Sequence, residues 1–227
     1  MVFSVNDIPQ VVIERLPQYL HALNELSTKD VEFISSHQFG RILQVTPAQI
    51  RKDFSYFGRF GKQGRGYNIP HLVRSLRGIL NLDRTWKVAV IGIGQLGRAI
   101  INYPGFAPEG FEIVCAFDAN PQLVGQKAGS ITIEPMSTLK KTLTRLGVHI
   151  SIVAVPASHV PKVIDELVEC GIKSILSYAP VPPRKMVGVQ VKTIDPVLAL
   201  QSMTYYLGGE LKQPRMNEPP EVRLRIG

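Results

Sequence analysis

Residues 87–101, KVAVIGIGQLGRAII, decide the fold of this chain. An apolar, strand-like run from Lys87 to Ile91 leads directly into Gly92-Ile93-Gly94-Gln95-Leu96-Gly97, and a helical segment follows from Arg98. A bare G-x-G-x-x-G pattern is common; the buried strand before it and the helix after it give it meaning. Gly92 permits the tight turn, Gly94 lets a pyrophosphate approach the backbone, and Gly97 lets the helix pack close to the sheet. The helix start then offers unpaired N–H groups and partial positive charge to phosphates.

The flanking sequence repeats the theme. FEIVCAFD (111–118), HISIVAVP (149–156) and KSILSYA (173–179) are short continuous apolar runs alternating with helix-like segments, the pattern of a parallel sheet buried on both faces. FEIVCAFD ends in Asp118, 21 positions after Gly97, where a carboxylate can accept from both hydroxyls of an adenosine ribose and repel a 2′-phosphate. A loop-initiating role for Asp118 is the plainer alternative, since Asn120-Pro121 follows. Ligands of doubly wound sheets sit at the carboxyl ends of the strands, so Val155, Pro156, Ala179 and Pro180 are expected to line the ribose and nicotinamide end.

Before residue 80 the periodicity is helical. Val12, Leu16, Tyr19, Leu23 and Leu26 form one apolar stripe, interrupted by Pro17, where the helix either kinks or begins its regular part. Residues 35–57 have the layout of a helix-turn-helix. Ser35 or Ser36 caps the first helix, whose Phe39, Ile42 and Leu43 are expected to face inward. Gln44-Val45 makes the turn, Thr46 caps the second helix, and Pro47 occupies its first position. In that second helix Ile50, Phe54 and Phe57 would pack inward, leaving Gln49, Arg51, Lys52, Ser55 and Tyr56 outside for base edges and phosphates of double-stranded DNA. The glycine-rich segment that follows carries Arg59, Lys62 and Arg65 and reads as a hairpin wing along the phosphates.

Charge agrees with this division. Residues 41–77 hold eight basic side chains against the single acid Asp53, a net +7 of the whole chain's +8. Two cysteines, Cys115 and Cys170, fit no zinc spacing, and Cys115 reads as a buried small hydrophobe. No apolar run reaches membrane-spanning length and no secretory signal is evident, so a cytoplasmic protein is expected, without metal.

With both halves in view, the chain resembles the Rex family of redox-sensing transcriptional repressors. AQIRKDFSYFG (48–58), GKQGRGYN (61–68), LDRTWKVAVIGIGQLGRAIINYPGF (82–106), AFDANPQLVG (116–125), VPA (155–157) and YAPV (178–181) carry the resemblance, which covers roughly residues 9–207. It implies a winged helix-turn-helix domain (1–84), a Rossmann-type parallel α/β domain binding NADH and NAD+ (85–195) and a C-terminal helix swapped between the subunits of a homodimer (196–207); the proline-bearing, charged stretch 208–227 beyond it is expected to be a poorly ordered tail. It also implies that Gly92, Gly94, Gln95, Leu96 and Gly97, with Ile93 between them, cradle the pyrophosphate, and that Tyr103 and Asp195 help close the nicotinamide pocket. Operator DNA would be held by the apo or NAD+ form and released by NADH.

Two rival readings use the same residues. A small NAD-dependent oxidoreductase would need a proton-transfer group, for which His159 is the tempting histidine and His149 a weaker one. A coenzyme A-binding module would share the glycine loop, but Asp118 disfavours the 3′-phosphate of that ligand.

Overall fold

A computed structural model describes residues 8–29, 31–62, 65–181 and 186–207, without the side chain of Lys62. The chain divides into two compact units, residues 1–85 with 105–111, and 86–104 with 112–227. The expected tail at 208–227 lies outside the described residues.

In the first unit, helix α1 (Gln10–Ser27) buries Val12, Leu16, Tyr19, Leu20, Ala22 and Leu23. It starts before Pro17 and contains it. Pro17 and Ile13 are exposed, so the carbonyl that proline leaves unpaired lies on the solvent side. Strand β1 (Phe33–Ile34) precedes α2 (Ser36–Leu43) and α3 (Pro47–Ser55). Ser35 caps α2 in a full capping box with Gln38, and the Thr46 hydroxyl caps α3 by accepting from the Gln49 backbone N–H. Between the helices Gln44 adopts a left-handed conformation, and a Cβ on Gly40 would lie 2.6 Å from the Val45 carbonyl oxygen. Only glycine allows the two helices this approach.

Ile42 departs from expectation. It is 51% exposed, while Phe39 is fully buried and Leu43 half-buried. The buried arc of α2 is centred on Phe39, Gly40 and Leu43, which turns Ile42 to the outer flank. Ile50 and Phe54 are buried as expected, and Phe57, just past the end of α3, packs against the same core. The wing consists of β2 (Gly61–Lys62) and β3 (Gly66–Asn68), antiparallel, with β1 added to give the order β1-β3-β2. Helix α4 (Ile69–Ile79), capped by Asn68, closes the unit through Ile69, Leu72 and Leu76.

The second unit contains β4 (Trp86–Ile91), α5 (Gln95–Ile101), β5 (Phe111–Asp118), β6 (Lys127–Ala128), β7 (Ile131–Pro135), α6 (Leu139–Leu146), β8 (Ile150–Val153), α7 (Val160–Glu169), β9 (Ser174–Ser177), β10 (Gln190–Thr193) and α8 (Pro196–Leu207). Its seven strands follow the order β10-β9-β8-β4-β5-β7-β6. Leaving out β6, which pairs antiparallel with β7 at one edge, this is the doubly wound order 3-2-1-4-5-6. The order reverses at β4, so a crevice opens between the carboxyl ends of β4 and β8, where this architecture binds ligands. Helix α8 is apolar and has no buried residue; Leu198, Tyr205 and Tyr206 are 64–82% exposed.

Candidate functional site

The glycine loop sits at the reversal point. Gly92 has φ +89°, and a Cβ there would lie 2.7 Å from Val155 Cγ1 and 2.8 Å from the Ala154 carbonyl oxygen. A Cβ on Gly97 would collide with the carbonyl oxygen of Gly92, so these two glycines are required by the fold itself. Gly94 is different: nothing lies within 4 Å of a Cβ built there. Its openness leaves the loop backbone accessible above the first turn of α5.

Asp118 ends β5 beside this loop. Its Oδ2 accepts from the Ile93 backbone N–H at 2.6 Å and its Oδ1 from the Asn120 N–H at 2.8 Å. Both the loop-initiating role and a place beside the glycine turn are therefore real. A carboxylate has about four lone-pair sites, so acceptor capacity remains. Gly92, Gly94, Asp118, Val155 and Pro156 line one cavity of about 500 Å³.

The other expected residues are placed differently. The Ile93 side chain is buried and only its N–H takes part; Gln95 and Leu96 are exposed on α5. Ala179 is half-buried, its carbonyl accepting from the Ser177 hydroxyl, and Pro180 is exposed; neither lines the cavity. Tyr103 is 59% exposed and also outside it. Asp195 accepts from the Val197 N–H at 2.9 Å, which ties it to the start of α8.

His159 ends a single 3-10 turn (Ala157–His159), makes no side-chain cap, and lines the crevice. His149 stands at the opposite end of β8, its ring edge-on to Trp86 at 5.1 Å. Lys162 and Glu166 of α7, 3.8 Å apart, also reach the crevice. The sequence reading missed both; their i, i+4 spacing on the helix after the 155–157 turn was the available signal. Cys115 is buried, and burial followed by the nearby Glu134 pushes its thiol up to about 12, which leaves no reactive thiolate. Among the described residues no His, Cys, Asp and Glu cluster could hold a metal, and no helix is long and apolar enough to cross a membrane.

On the first unit, Arg51, Ser55, Arg59 and Arg65 line a second cavity of about 570 Å³ between α3, the start of α2 and the wing. Arg51 Nη1 donates to Ser36 Oγ at 3.0 Å, Ser55 Oγ donates to the Lys52 carbonyl at 2.6 Å, and the Arg65 guanidinium stands 5.6 Å over the Phe33 ring. Lys52 is exposed, and Tyr56 is half-buried just past the helix end. Lys62 lies on β2, its side chain outside the described atoms.

Gln49 sits deeper than its neighbours on the outer face of α3. Expected to point outward, it is half-buried, and its amide Nε2 donates to Asp53 Oδ1 at 2.7 Å. Asp53 is fully buried and accepts from Arg15 Nε and Nη2, both at 2.7 Å, and from the Tyr19 hydroxyl at 2.6 Å. Burial alone would raise its pKa, but the donors Arg15, Tyr19 and Gln49 outweigh it and hold the carboxyl below its ordinary value. The one acid of the basic segment is thus spent internally, and the outer face of α3 keeps its positive charge.

Residues 83–181 match the family described as "CoA binding domain", and residues 7–55 that described as "Putative DNA-binding protein N-terminus". The redox-sensing transcriptional repressor Rex of Chloroflexus aurantiacus is 48% identical over 202 residues, covering 89% of this chain and 95% of the relative. That of Roseiflexus sp. is 46% identical over 93% of this chain and 96% of its own length. Among solved structures, RSP in complex with beta-NAD+ and operator DNA superposes with a TM-score of 0.84 at 36% identity, over 89% of this chain and 94% of the other. RSP in complex with beta-NADH gives 0.81 at 33% identity, over 92% and 96%. A basic helix-turn-helix and a dinucleotide crevice on one chain, matched along nearly its whole length, lead to one assignment: the chain belongs to the Rex family of redox-sensing transcriptional repressors.

Proposed function

We propose that this chain is a homodimeric repressor that holds operator DNA in its apo or NAD+ form and lets go when NADH binds. The observation that carries this reading is Asp118 beside the glycine loop at the reversal point of the sheet, on the same chain as an outward-facing basic helix. Gly92, Gly94 and Gly97 would receive the pyrophosphate, with the backbone from Ile93 to Leu96 over it. Asp118 would accept from the adenosine ribose. A carboxylate there repels the 2′-phosphate of NADP(H) and the 3′-phosphate of coenzyme A, so the crevice is assigned to NAD(H) despite the family description of residues 83–181.

On the DNA side, Arg51, Lys52 and Ser55 would face the major groove, and Arg59, Lys62 and Arg65 the phosphates. Residues 1–84 would bind DNA, 85–195 the nucleotide, and 196–207 the partner subunit. The exposed apolar surface of α8 supports the last assignment, since a surface of that kind marks an interface. Tyr103 and Asp195 would act at the nicotinamide end, where the second subunit completes the pocket. Such a repressor works in the cytoplasm, beside its DNA.

Release requires different affinities of NADH for the DNA-competent and DNA-incompetent arrangements, because a ligand binding both equally shifts nothing. The test is a mobility-shift titration on a duplex selected by the protein from a random pool. NADH is expected to release it and NAD+ to leave it bound; equal retention with both nucleotides ends the proposal.

The oxidoreductase reading has one observation in its favour, the His159 ring lining the crevice. We infer a regulator rather than an enzyme, because the relatives and solved structures that match along nearly the whole chain are repressors. Nicotinamide turnover with a 2-hydroxy acid or aldehyde, abolished by His159→Ala, would reverse that inference.

A further inference from the structure

Asp53 does more than remove a negative charge from the outer face of α3. It lies on the helix expected to enter the groove, yet it is wholly buried and its two oxygens meet Arg15 Nε, Arg15 Nη2, the Tyr19 hydroxyl and Gln49 Nε2 within 2.6–2.7 Å. A carboxylate held by a guanidinium is an acceptor only. The amide of Gln49 can therefore face it in one sense alone, nitrogen inward. One N–H is committed to Asp53, and the Oε1 and the second N–H are left for a ligand.

The position of Gln49 gives that orientation a use. Its backbone N–H is bound by the Thr46 hydroxyl, so it belongs to the first turn of α3, the part of a recognition helix that meets base edges. Lys52, three residues on and on the adjoining face, is exposed. An acceptor and a donor side by side on one amide complement the N6–H and N7 of adenine in the major groove. A free glutamine can present either sense; one tied to an ionised acid presents only this one.

We propose that Gln49 reads an adenine in each operator half-site, and that Asp53, anchored by Arg15 and Tyr19, is a positioning residue that fixes the sense of its amide. This rests on the operator-binding reading above. The proposal separates Gln49 from Arg51 and Lys52: its contribution is discrimination at one base pair rather than general affinity.

The experiment uses the full-length protein and the duplex it selects, with adenines replaced one at a time by 7-deazaadenine, which lacks N7, or by purine, which lacks the N6 amine. One adenine per half-site is expected to lose about tenfold in affinity on either replacement. Gln49→Met, which leaves the Arg15–Asp53 pair untouched, should become indifferent to those two replacements and keep every other preference. Asp53→Asn, whose amide can present either a donor or an acceptor to Gln49, should relax the same position; a merely structural Asp53 would instead weaken all sequences alike. If Asp53→Asn does not fold, exchange of the two Gln49 side-chain protons in the unaltered protein decides. One proton exchanging far more slowly than in an exposed glutamine supports the tether, and two fast protons overturn it. Gln49→Met with an unchanged base profile, or with uniform loss at every position, overturns the proposal. A wild-type protein that selects no sequence at all would instead sink the repressor reading on which it stands.

Discussion

The Oδ2 of Asp118 lies 2.6 Å from the Ile93 backbone nitrogen, so the acid that ends β5 is bonded directly to the glycine loop that ends β4. A ribose-binding carboxylate placed this way has two duties. It would accept from the ligand, and it holds the loop in the shape the ligand meets. Asp118→Ala removes both, and a hydrogen bond to a charged group is worth about 1.5–3 kcal/mol. Calorimetric affinity for NADH should fall about 10- to 150-fold while operator affinity in the absence of nucleotide stays unchanged. Undiminished NADH binding would show that the acid serves the loop alone.

Gly92 and Gly94 predict opposite phenotypes from the same substitution. A Cβ at Gly92 meets Val155 and Ala154 on a backbone with φ +89°, whereas a Cβ at Gly94 meets nothing within 4 Å. Gly92→Ala should therefore lower the thermal midpoint by several degrees, about 1–3 kcal/mol for a strained position. Gly94→Ala should melt like the parent yet bind NADH at least tenfold more weakly, because the added methyl occupies space kept open for the pyrophosphate. A repressor carrying Gly94→Ala should stay on DNA at NADH concentrations that release the parent. Normal NADH affinity in Gly94→Ala would mean the ligand does not approach that backbone.

The readable parts of this molecule were those whose signal is local. FEIVCAFD is β5 to the residue: Cys115, Ala116 and Phe117 are buried on alternating faces, so this part of the strand must be apolar on both. Thr46-Pro47 fixed the start of α3, because a cap and an N-terminal proline act within one turn. Strand β1 has two residues, too few to show any period, and β10 is mostly exposed, so neither carries a hydrophobic pattern. Ile42 was misplaced because an i, i+3 step from Phe39 spans 60° of arc, and eight residues of α2 leave the centre of the buried face undetermined. The place of Asp53 is less legible still. An acid among cations reads as solvated, and its partner Arg15 is 38 residues away. The usable clue is that Asp53 flanks the arc of Ile50, Phe54 and Phe57, about 40° beyond Phe57, where an acid at the edge of a buried face requires a cation.

The Arg15–Asp53 pair should also be visible in stability. Asp53 is fully buried and Arg15 only partly exposed, so Arg15→Ala leaves a buried carboxylate without its cation, at a cost of about 3 kcal/mol. The pH dependence has a definite sign. Asp53 titrates lower in the folded chain than in the unfolded one. Its contribution is therefore whole above the unfolded carboxylate pKa of about 3.9 and is lost as pH falls toward the folded value. Denaturant unfolding at neutral pH and at steps below about pH 4 should show the gap between the parent and Arg15→Ala narrowing as the pH falls. A gap between the two proteins that stays constant with pH would mean the pair adds no charge-dependent stability.

The basic face of α3 and the wing should separate by salt dependence. Arg65 stands over the Phe33 ring, where the proposed function puts it on the phosphate backbone, while Lys52 is exposed on α3, the helix proposed to enter the groove. A phosphate contact contributes to affinity through released counterions, about 0.9 of a unit in the slope of log affinity against log salt for each phosphate neutralised. Arg65→Ala should therefore weaken specific and nonspecific duplexes alike and flatten that slope by about one. Lys52→Ala should weaken the selected duplex more than an unrelated one, because a base contact adds discrimination that a phosphate contact lacks. Neither variant should alter NADH affinity, since both residues belong to the DNA-binding unit and the crevice to the other. Filter-binding at five or six salt concentrations, with both duplexes, the parent and both variants, measures the six slopes. If the slope for Arg65→Ala equals that of the parent, the wing does not touch the backbone, and the positive charge of residues 41–77 acts through the helix alone.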